Sequence, residues 1–235
     1  MTTTTVCIAG HWLGAWAWDE VRERFPSCVP MTLPGLDPAD PDRATRTLED
    51  QVAGILTVFA QHEVTADRPC VLVAHSGANG PVSLVLDRHP ELVQRIVWVD
   101  SGPVASGTVF APDLPGTIRE VPLPELATLG QQASLDGLTT AQLERFVARA
   151  VPQPAPVMRD EIVLTNEGRH TVPTTFVCSS MPSAQVLELA AAGHPMFAEI
   201  TKLTQASFVD LPTGHWPMWS KPGELASLLQ EAAAS

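Results

Sequence analysis

Six short apolar runs punctuate the chain: "TVCIAG" from Thr5, "CVPMTL" from Cys28, "CVLVAHS" from Cys70, "QRIVWVDS" from Gln94, "TTFVCSS" from Thr174 and "ASFVDLP" from Ala206. Each is nearly continuous in hydrophobicity instead of alternating, which is the pattern of a strand covered on both faces and so of a parallel sheet. Parallel neighbours need crossovers, and helical periodicity lies between the runs. In "TLEDQVAGILTVFAQH", Leu48, Val52, Ile55, Leu56 and Phe59 recur on one helical face, and Thr47 with Asp50 has capping-box spacing. "PGELASLLQEAAA" supplies a C-terminal helix with Pro222 in its first turn. The alternation predicts an α/β fold built on a doubly wound, mostly parallel sheet.

One segment breaks this rhythm. Between "VDSG" and "TTFVCSS" runs the proline-rich stretch "FAPDLPGTIREVPLPEL", followed by "TTAQLERFVARAV", where Thr139 and Gln142 again have capping-box spacing. A crossover of this length exceeds what one covering helix needs, so residues 104–172 are expected to form a small helical cap over one end of the sheet. The sheet scaffold then comprises residues 1–103 and 173–235. Phe110 and the prolines are expected to act as a lid, with Leu143, Phe146 and Val147 turned inward on the cap helix.

Composition narrows the chemistry. With 235 residues, 45% of them hydrophobic and 17% charged, the chain can bury a substantial core. Its formal net charge of −12 repels phosphate backbones, so neither nucleic acid nor an anionic membrane surface is an expected partner, and small neutral molecules are. "MTTTTVCIAG" carries no basic segment ahead of an apolar stretch, and a cytoplasmic location is expected. Cys7, Cys28, Cys70 and Cys178 are widely separated, which suits buried reduced thiols and not a metal site; neither metal nor cofactor is expected.

Ligands of open parallel sheets bind beyond the carboxyl ends of the strands. The first run ends at Gly10-His11-Trp12, the third at His75-Ser76-Gly77, the fourth at Asp100-Ser101, and the last leads through "LPTG" to His215. A serine, a carboxylate and a histidine therefore arrive in chain order, each beyond a different strand. A serine hydroxyl is a weak nucleophile until a base reaches it and a sharp strand-to-helix turn lifts it from the sheet. Small neighbours permit such a turn, and Ala74 and Ala78 occupy the positions two residues away, giving A-x-S-x-A where G-x-S-x-G is usual. Ser76 is thus the expected nucleophile, His215 its base, and Asp100 the carboxylate that orients the imidazole, with Asp210 as the rival acid. The backbone N–H groups of Gly77 and His11 are the expected oxyanion donors, while Trp12, Met181 and Trp216 are expected to contact substrate.

With these residues in view, the chain resembles the α/β-hydrolase superfamily, and within it the plant methylesterase and hydroxynitrile lyase branch with its bacterial esterase relatives. "AGHWLGAWAW" is similar to that branch's H-G-x-x-x-G-A-W-x-W segment, and "GHWPMWSKPGELASLL" to its histidine loop and final helix. Two positions depart from it. Ala9 stands where the branch has histidine, and Cys178-Ser179-Ser180-Met181-Pro182 carries no carboxylate where the branch usually places its acid. The resemblance implies a serine hydrolase cleaving small hydrophobic or aromatic esters through an acyl-enzyme. Non-catalytic ligand binding, or lyase or lactonase activity on the same three residues, is the alternative; the plant lyases use a pocket lysine, and only Lys202 and Lys221 are present here.

Overall fold

The computed structural model describes residues 3–234. In chain order the strands are β1 (Thr5–Ile8), β2 (Cys28–Met31), β3 (Cys70–His75), β4 (Val93–Val99), β5 (Glu120–Val121), β6 (Gln153–Pro154), β7 (Thr174–Cys178) and β8 (Ala206–Asp210). The α-helices are α1 (Asp19–Arg22), α2 (Leu48–Gln61), α3 (Asn79–Arg88), α4 (Leu126–Gln132), α5 (Thr140–Arg149), α6 (Ala155–Arg159), α7 (Ser183–Ala191), α8 (Pro217–Ser220) and α9 (Pro222–Ala234). All six expected runs form strands of one parallel sheet, ordered β2-β1-β3-β4-β7-β8. From β1 the chain moves outward to β2, then returns across β1 to add β3 and the rest. The direction of winding therefore switches between β1 and β3.

Side chains alternate across the pleat and divide the core in two. Val6, Ile8, Leu72, Ala74 and Trp98 face one side, where α2, α3 and α7 bring Leu48, Val52, Ile55, Phe59, Val82 and Val186. Cys7, Val71, Val73, Val97 and Val99 face the other, against Val21 of α1, Met218 and Trp219 of α8, and Leu225 and Leu229 of α9. Burying a Leu or Val in this way contributes roughly 1.5–3 kcal/mol. Both expected capping boxes form, Thr47 with Asp50 and Thr139 with Gln142. All four cysteines are buried free thiols.

Three expectations need correction. β8 is not covered on both faces: it is the sheet edge, its residues are exposed or half-buried, and on its outer side Thr175 and Ser207 pair their hydroxyls at 3.0 Å. The chain between β4 and β7 is not purely helical either. It contains the antiparallel ribbon β5-β6 as well as α4, α5 and α6. On α5, Phe146 is fully buried and Leu143 half-buried, but Val147 is 54% exposed, because one helical step carries it past the narrow buried stripe. This segment is sewn to the sheet by Val151 N–H to the Trp12 carbonyl at 3.0 Å, Gln142 Nε2 to the Trp219 carbonyl at 2.9 Å and Trp12 Nε1 to the Val121 carbonyl at 3.0 Å. Among the described residues, no helix is long and apolar enough to cross a membrane.

A buried ionic cluster closes the end of this segment against α3. Arg169 reaches Asp87 of α3 at 3.5 Å and Glu199 at 3.3 Å, and Asp87 also accepts the N–H groups of Thr165 and Asn166 at 2.8 Å. All three charged side chains are buried. Removing Arg169 leaves Asp87 buried without its counter-charge, while Glu199 keeps Lys202 at 2.6 Å and His170 at 2.9 Å. Arg169→Ala is therefore expected to destabilise the protein by about 3 kcal/mol in urea unfolding, whereas an unchanged midpoint would show the cluster to be dispensable.

Candidate active site

The winding direction switches between β1 and β3, and the expected site residues lie beyond the carboxyl ends of β1, β3 and β4 and in the loop after β8. β3 ends in His75, and Ser76 then takes φ 51° before a 3₁₀ turn leads into α3 at Asn79. A left-handed residue with a side chain costs of order 1–3 kcal/mol and persists only where its surroundings impose it. Here Gly10 permits it. A Cβ on Gly10 would lie 2.7 Å from Ser76 Cβ and 2.8 Å from the Gly77 nitrogen, so only glycine lets the two loops approach. Ala74 and Ala78 are both fully buried, and the turn accommodates their methyl groups. Ser101 Oγ donates to the Ser76 carbonyl at 2.8 Å, which fixes the turn from the β4 side.

His215 Nε2 lies 2.8 Å from Ser76 Oγ, and His215 Nδ1 lies 2.6 Å from Asp100 Oδ2. Asp100 follows β4 directly and, like Ser76, has a left-handed backbone with φ 44°. Its other contacts come from the tip of β7. Oδ1 accepts the N–H groups of Ser179 at 3.0 Å and Ser180 at 2.8 Å, and Oδ2 accepts the Ser180 hydroxyl at 2.6 Å. Ser180 thus stands in the stretch where the resembling branch carries its acid, and binds the acid of the neighbouring strand. Burial by itself pushes the Asp100 carboxyl up, but His215 and the Ser180 donors outweigh it and hold the group at about 2. The rival, Asp210, is committed elsewhere: it accepts Ser183 N–H at 2.7 Å and Ser183 Oγ at 2.8 Å at the start of α7.

The histidine loop is fixed from two sides. His75 is buried, and its Nε2–H donates to the His215 carbonyl at 2.8 Å while its Nδ1 accepts from Gly10 N–H at 3.4 Å. Burial, reinforced by the neighbouring His215, holds His75 down to about 3, so it is neutral and this one tautomer serves both contacts. From the other side, His215 N–H donates to the Ser134 carbonyl at 2.8 Å and Gly214 N–H to the Asp136 carbonyl at 3.0 Å. A Cβ on Gly214 would come within 2.5 Å of the Asp136 oxygen and 2.6 Å of the Ser134 oxygen. The chain between β4 and β7 therefore grips the histidine loop through its own backbone.

The N–H groups of His11 and Gly77 donate to no acceptor among the described residues. The His11 ring lies across Gly77, where a Cβ would run into it, and meets Phe110 edge-on at 5.2 Å and Trp12 at 5.6 Å. Phe110 also covers Gly80, whose Cβ would lie 2.8 Å from its ring. Trp12 is half-buried, with its indole spent on Val121. Met181 is half-buried beyond β7 against the first core cluster. Trp216 is only 3% exposed and packs edge-on behind His215 at 4.9 Å and against Phe146 at 5.4 Å, so it braces the imidazole. Among the described residues no group of three His, Cys, Asp or Glu side chains is arranged to hold a metal ion. Ser180 and the carbonyls of Ser134 and Asp136 were not singled out in the sequence; only the paired serines at the tip of β7 left a readable trace.

A doubly wound sheet with a serine, histidine and carboxylate in hydrogen-bonded line at its switch point has the organisation of a hydrolase scaffold. The model of the Alpha/beta hydrolase family matches residues 5–228, and the chain belongs to that family. Solved structures agree over the whole chain. An extracellular alpha/beta-hydrolase from a Paenibacillus species, described as sharing structural and functional homology with tobacco Salicylic Acid Binding Protein 2, superposes with a TM-score of 0.74 at 18% identity, covering 98% of each chain. A methylesterase from Arabidopsis gives 0.73 at 14% identity over 99% of each chain. A pyrethroid hydrolase from Sphingobium faniae gives 0.70 at 16% identity over 100% of this chain and 98% of its own. No curated protein sequence matches the chain.

Two outcomes follow from this geometry. Gly214→Ala should displace the histidine loop from Ser134 and Asp136 and cut turnover at least about tenfold while the fold survives, since the clash is confined to one loop; kinetics beside circular dichroism read both, and unimpaired turnover would refute the grip. Asp100 is held below the usual carboxylate range, so its stabilising contribution is complete above its unfolded value near 3.8 and disappears as pH falls towards about 2. Wild type should then lose on the order of 2 kcal/mol more than Asp100→Asn in urea unfolding between pH 4 and pH 2, and parallel curves would contradict the assignment.

Proposed function

We propose that this protein hydrolyses carboxylic esters through an acyl-enzyme on Ser76. The observation that carries the reading is the continuous contact from Ser76 Oγ to His215 Nε2 at 2.8 Å and from His215 Nδ1 to Asp100 Oδ2 at 2.6 Å. Asp100, ionised at neutral pH, accepts a hydrogen bond from Nδ1–H and so leaves Nε2 unprotonated to receive the serine proton as Oγ attacks the ester carbonyl. The imidazolium that results is stabilised by the same carboxylate. As the tetrahedral adduct forms, its oxyanion is received by the unused N–H groups of His11 and Gly77, each contributing on the order of 100-fold to 1000-fold in rate. His215 then returns the proton to the leaving alcohol. A water, deprotonated by the same Nε2, repeats the addition on the acyl-enzyme and releases the acid.

Every group in this sequence comes from the chain, so the reading requires no cofactor or metal. Trp12 and Phe110, nearest the serine turn, and Met181 support a preference for medium-sized hydrophobic or aromatic acyl groups, while Trp216 braces His215 from behind and does not face the acyl group. Residues 104–172 are read as the cap and the remainder as the hydrolase core. Four reduced, buried thiols suit a cytoplasmic protein. The lyase alternative gains nothing from the lysines, since Lys202 is ion-paired to Glu199 at 2.6 Å and Lys221 ends α8.

A fluorophosphonate probe is expected to label wild type and not Ser76→Ala, and p-nitrophenyl and aryl methyl esters to be hydrolysed by wild type only. Asp100→Asn should lower kcat by about 10⁴ and Asp210→Asn by less than twofold. Absence of labelling in the folded wild type would overturn the reading in favour of ligand binding alone, and the reverse order of the two acid variants would reassign the carboxylate.

A further inference from the structure

Asp100 Oδ2 is shared. It receives His215 Nδ1 at 2.6 Å and the Ser180 hydroxyl at 2.6 Å, while Oδ1 is taken by the N–H groups of Ser179 and Ser180. The main-chain donors already hold the carboxylate, and any residue at position 180 other than proline would supply that N–H. The hydroxyl is a separate addition, aimed at the one oxygen that addresses the imidazole. Ser180 is exposed, so its hydroxyl has water as an alternative partner and turns to the carboxylate all the same.

Two donors on one carboxylate oxygen weaken each other, because each partly neutralises the negative charge that attracts the other. An ionised carboxylate favours the protonated imidazole over the neutral one, and a hydroxyl that offsets some of its charge reduces that preference. The imidazole is then a free base down to lower pH. The groups around the pair keep one charge state through the neutral range. His75, whose ring centroid lies 4.8 Å from that of His215, is held down to about 3 and His11 to about 4, each chiefly by burial, so both are neutral. Cys178 of β7 is pushed up to about 12 by burial, with Asp210 and Asp100 adding to the rise, and stays a thiol. Asp210 of β8 is bound to Ser183, and Asp136 meets the histidine loop through its carbonyl while the residue itself is exposed. Asp100 is held at about 2. His215 is thus the group whose protonation Ser180 can tune.

We propose that Ser180 is a positioning residue that acts through Asp100: its hydroxyl, sharing Oδ2 with His215, loosens the hold of the carboxylate on the imidazolium and carries turnover to lower pH than Ser76, His215 and Asp100 alone would reach. This rests on the ester-hydrolase reading of Ser76 and adds what sets its working pH range. The main-chain donors of the β7 tip fix where the carboxylate lies, and the side-chain donor fixes how strongly it acts.

The test compares wild type with Ser180→Thr, which keeps the hydroxyl, and Ser180→Val, which has the same shape without it and fills the place a substituting water would take. Ser180→Val is also made in an Asp100→Asn background, and circular dichroism verifies folding. The protonation of His215 is followed by NMR of the carbon-13-labelled imidazole, assigned by its loss in His215→Gln, and the acid limb of kcat/KM is followed with p-nitrophenyl butyrate. In Ser180→Val both the NMR midpoint and the acid limb should move to higher pH by about half a unit or more, while Ser180→Thr stays with wild type. In the Asp100→Asn background the same change should leave the NMR midpoint where it is. Equal midpoints in Ser180→Thr and Ser180→Val, a midpoint that falls, a shift that persists without the Asp100 carboxylate, or an acid limb that ignores the shift would overturn the proposal. If no ester is turned over but the midpoint still follows the hydroxyl, the tuning of His215 by Ser180 stands and the hydrolase reading falls.

Discussion

Two neighbouring parallel strands that end in register, each in a left-handed residue, are the constraint from which the rest of the site follows. His75 of β3 pairs with Val99 of β4, so Ser76 and Asp100 leave the sheet side by side. Their positive φ values, 51° and 44°, turn both side chains away from the direction the strands would give them and towards one imidazole. Neither conformation is comfortable for a residue with a side chain, and each is held by neighbours: Gly10 leaves room for the Ser76 turn, Ser101 hydrogen-bonds its carbonyl, and the β7 tip binds Asp100. Sheet register therefore fixes at the backbone level the positions from which the two groups reach the one histidine.

The position of the acid is explained by the same neighbourhood. The tips of β4 and β7 are adjacent because the strands pair, with Val99 opposite Val177, so a carboxylate on either one can face His215. Here the carboxylate is on β4 and β7 supplies donors instead. Two N–H groups and a hydroxyl on one buried carboxyl give it more hydrogen bonds than the histidine alone would, which offsets its desolvation and keeps it ionised. A serine in place of an acid is thus a change of partner within one small cluster.

Much of this was legible in the residues. Continuous apolar runs mark buried parallel strands, and the polar residues that follow them mark the carboxyl ends of the sheet, which groups Ser76, Asp100 and His215 from the sequence alone. The misses have physical causes. Nothing in "ASFVDLP" distinguishes an edge strand from a covered one, because the number of neighbours is a property of the sheet and not of the segment. Val147 shares the apolar character of Phe146 but not its direction. The acceptors at Ser134 and Asp136 are main-chain carbonyls, which every residue possesses, so no side chain announces them. Aromatic residues beside His215 suggested a pocket wall, yet the ring of Trp216 has become part of the packing that aims the imidazole.

Because the loop carrying His215 hangs by its amide hydrogens from carbonyls of the segment above the sheet, that segment is not an interchangeable accessory. Surface insertions in α/β domains are commonly the variable part of the scaffold, free to diverge while the sheet stays constant. In this molecule divergence is tethered. A chimera that imported the corresponding stretch from a relative would retain a working base only if the graft presented two oxygens at the same height and spacing, so the evolution of selectivity and the upkeep of turnover are bound to one another along a few atoms of backbone.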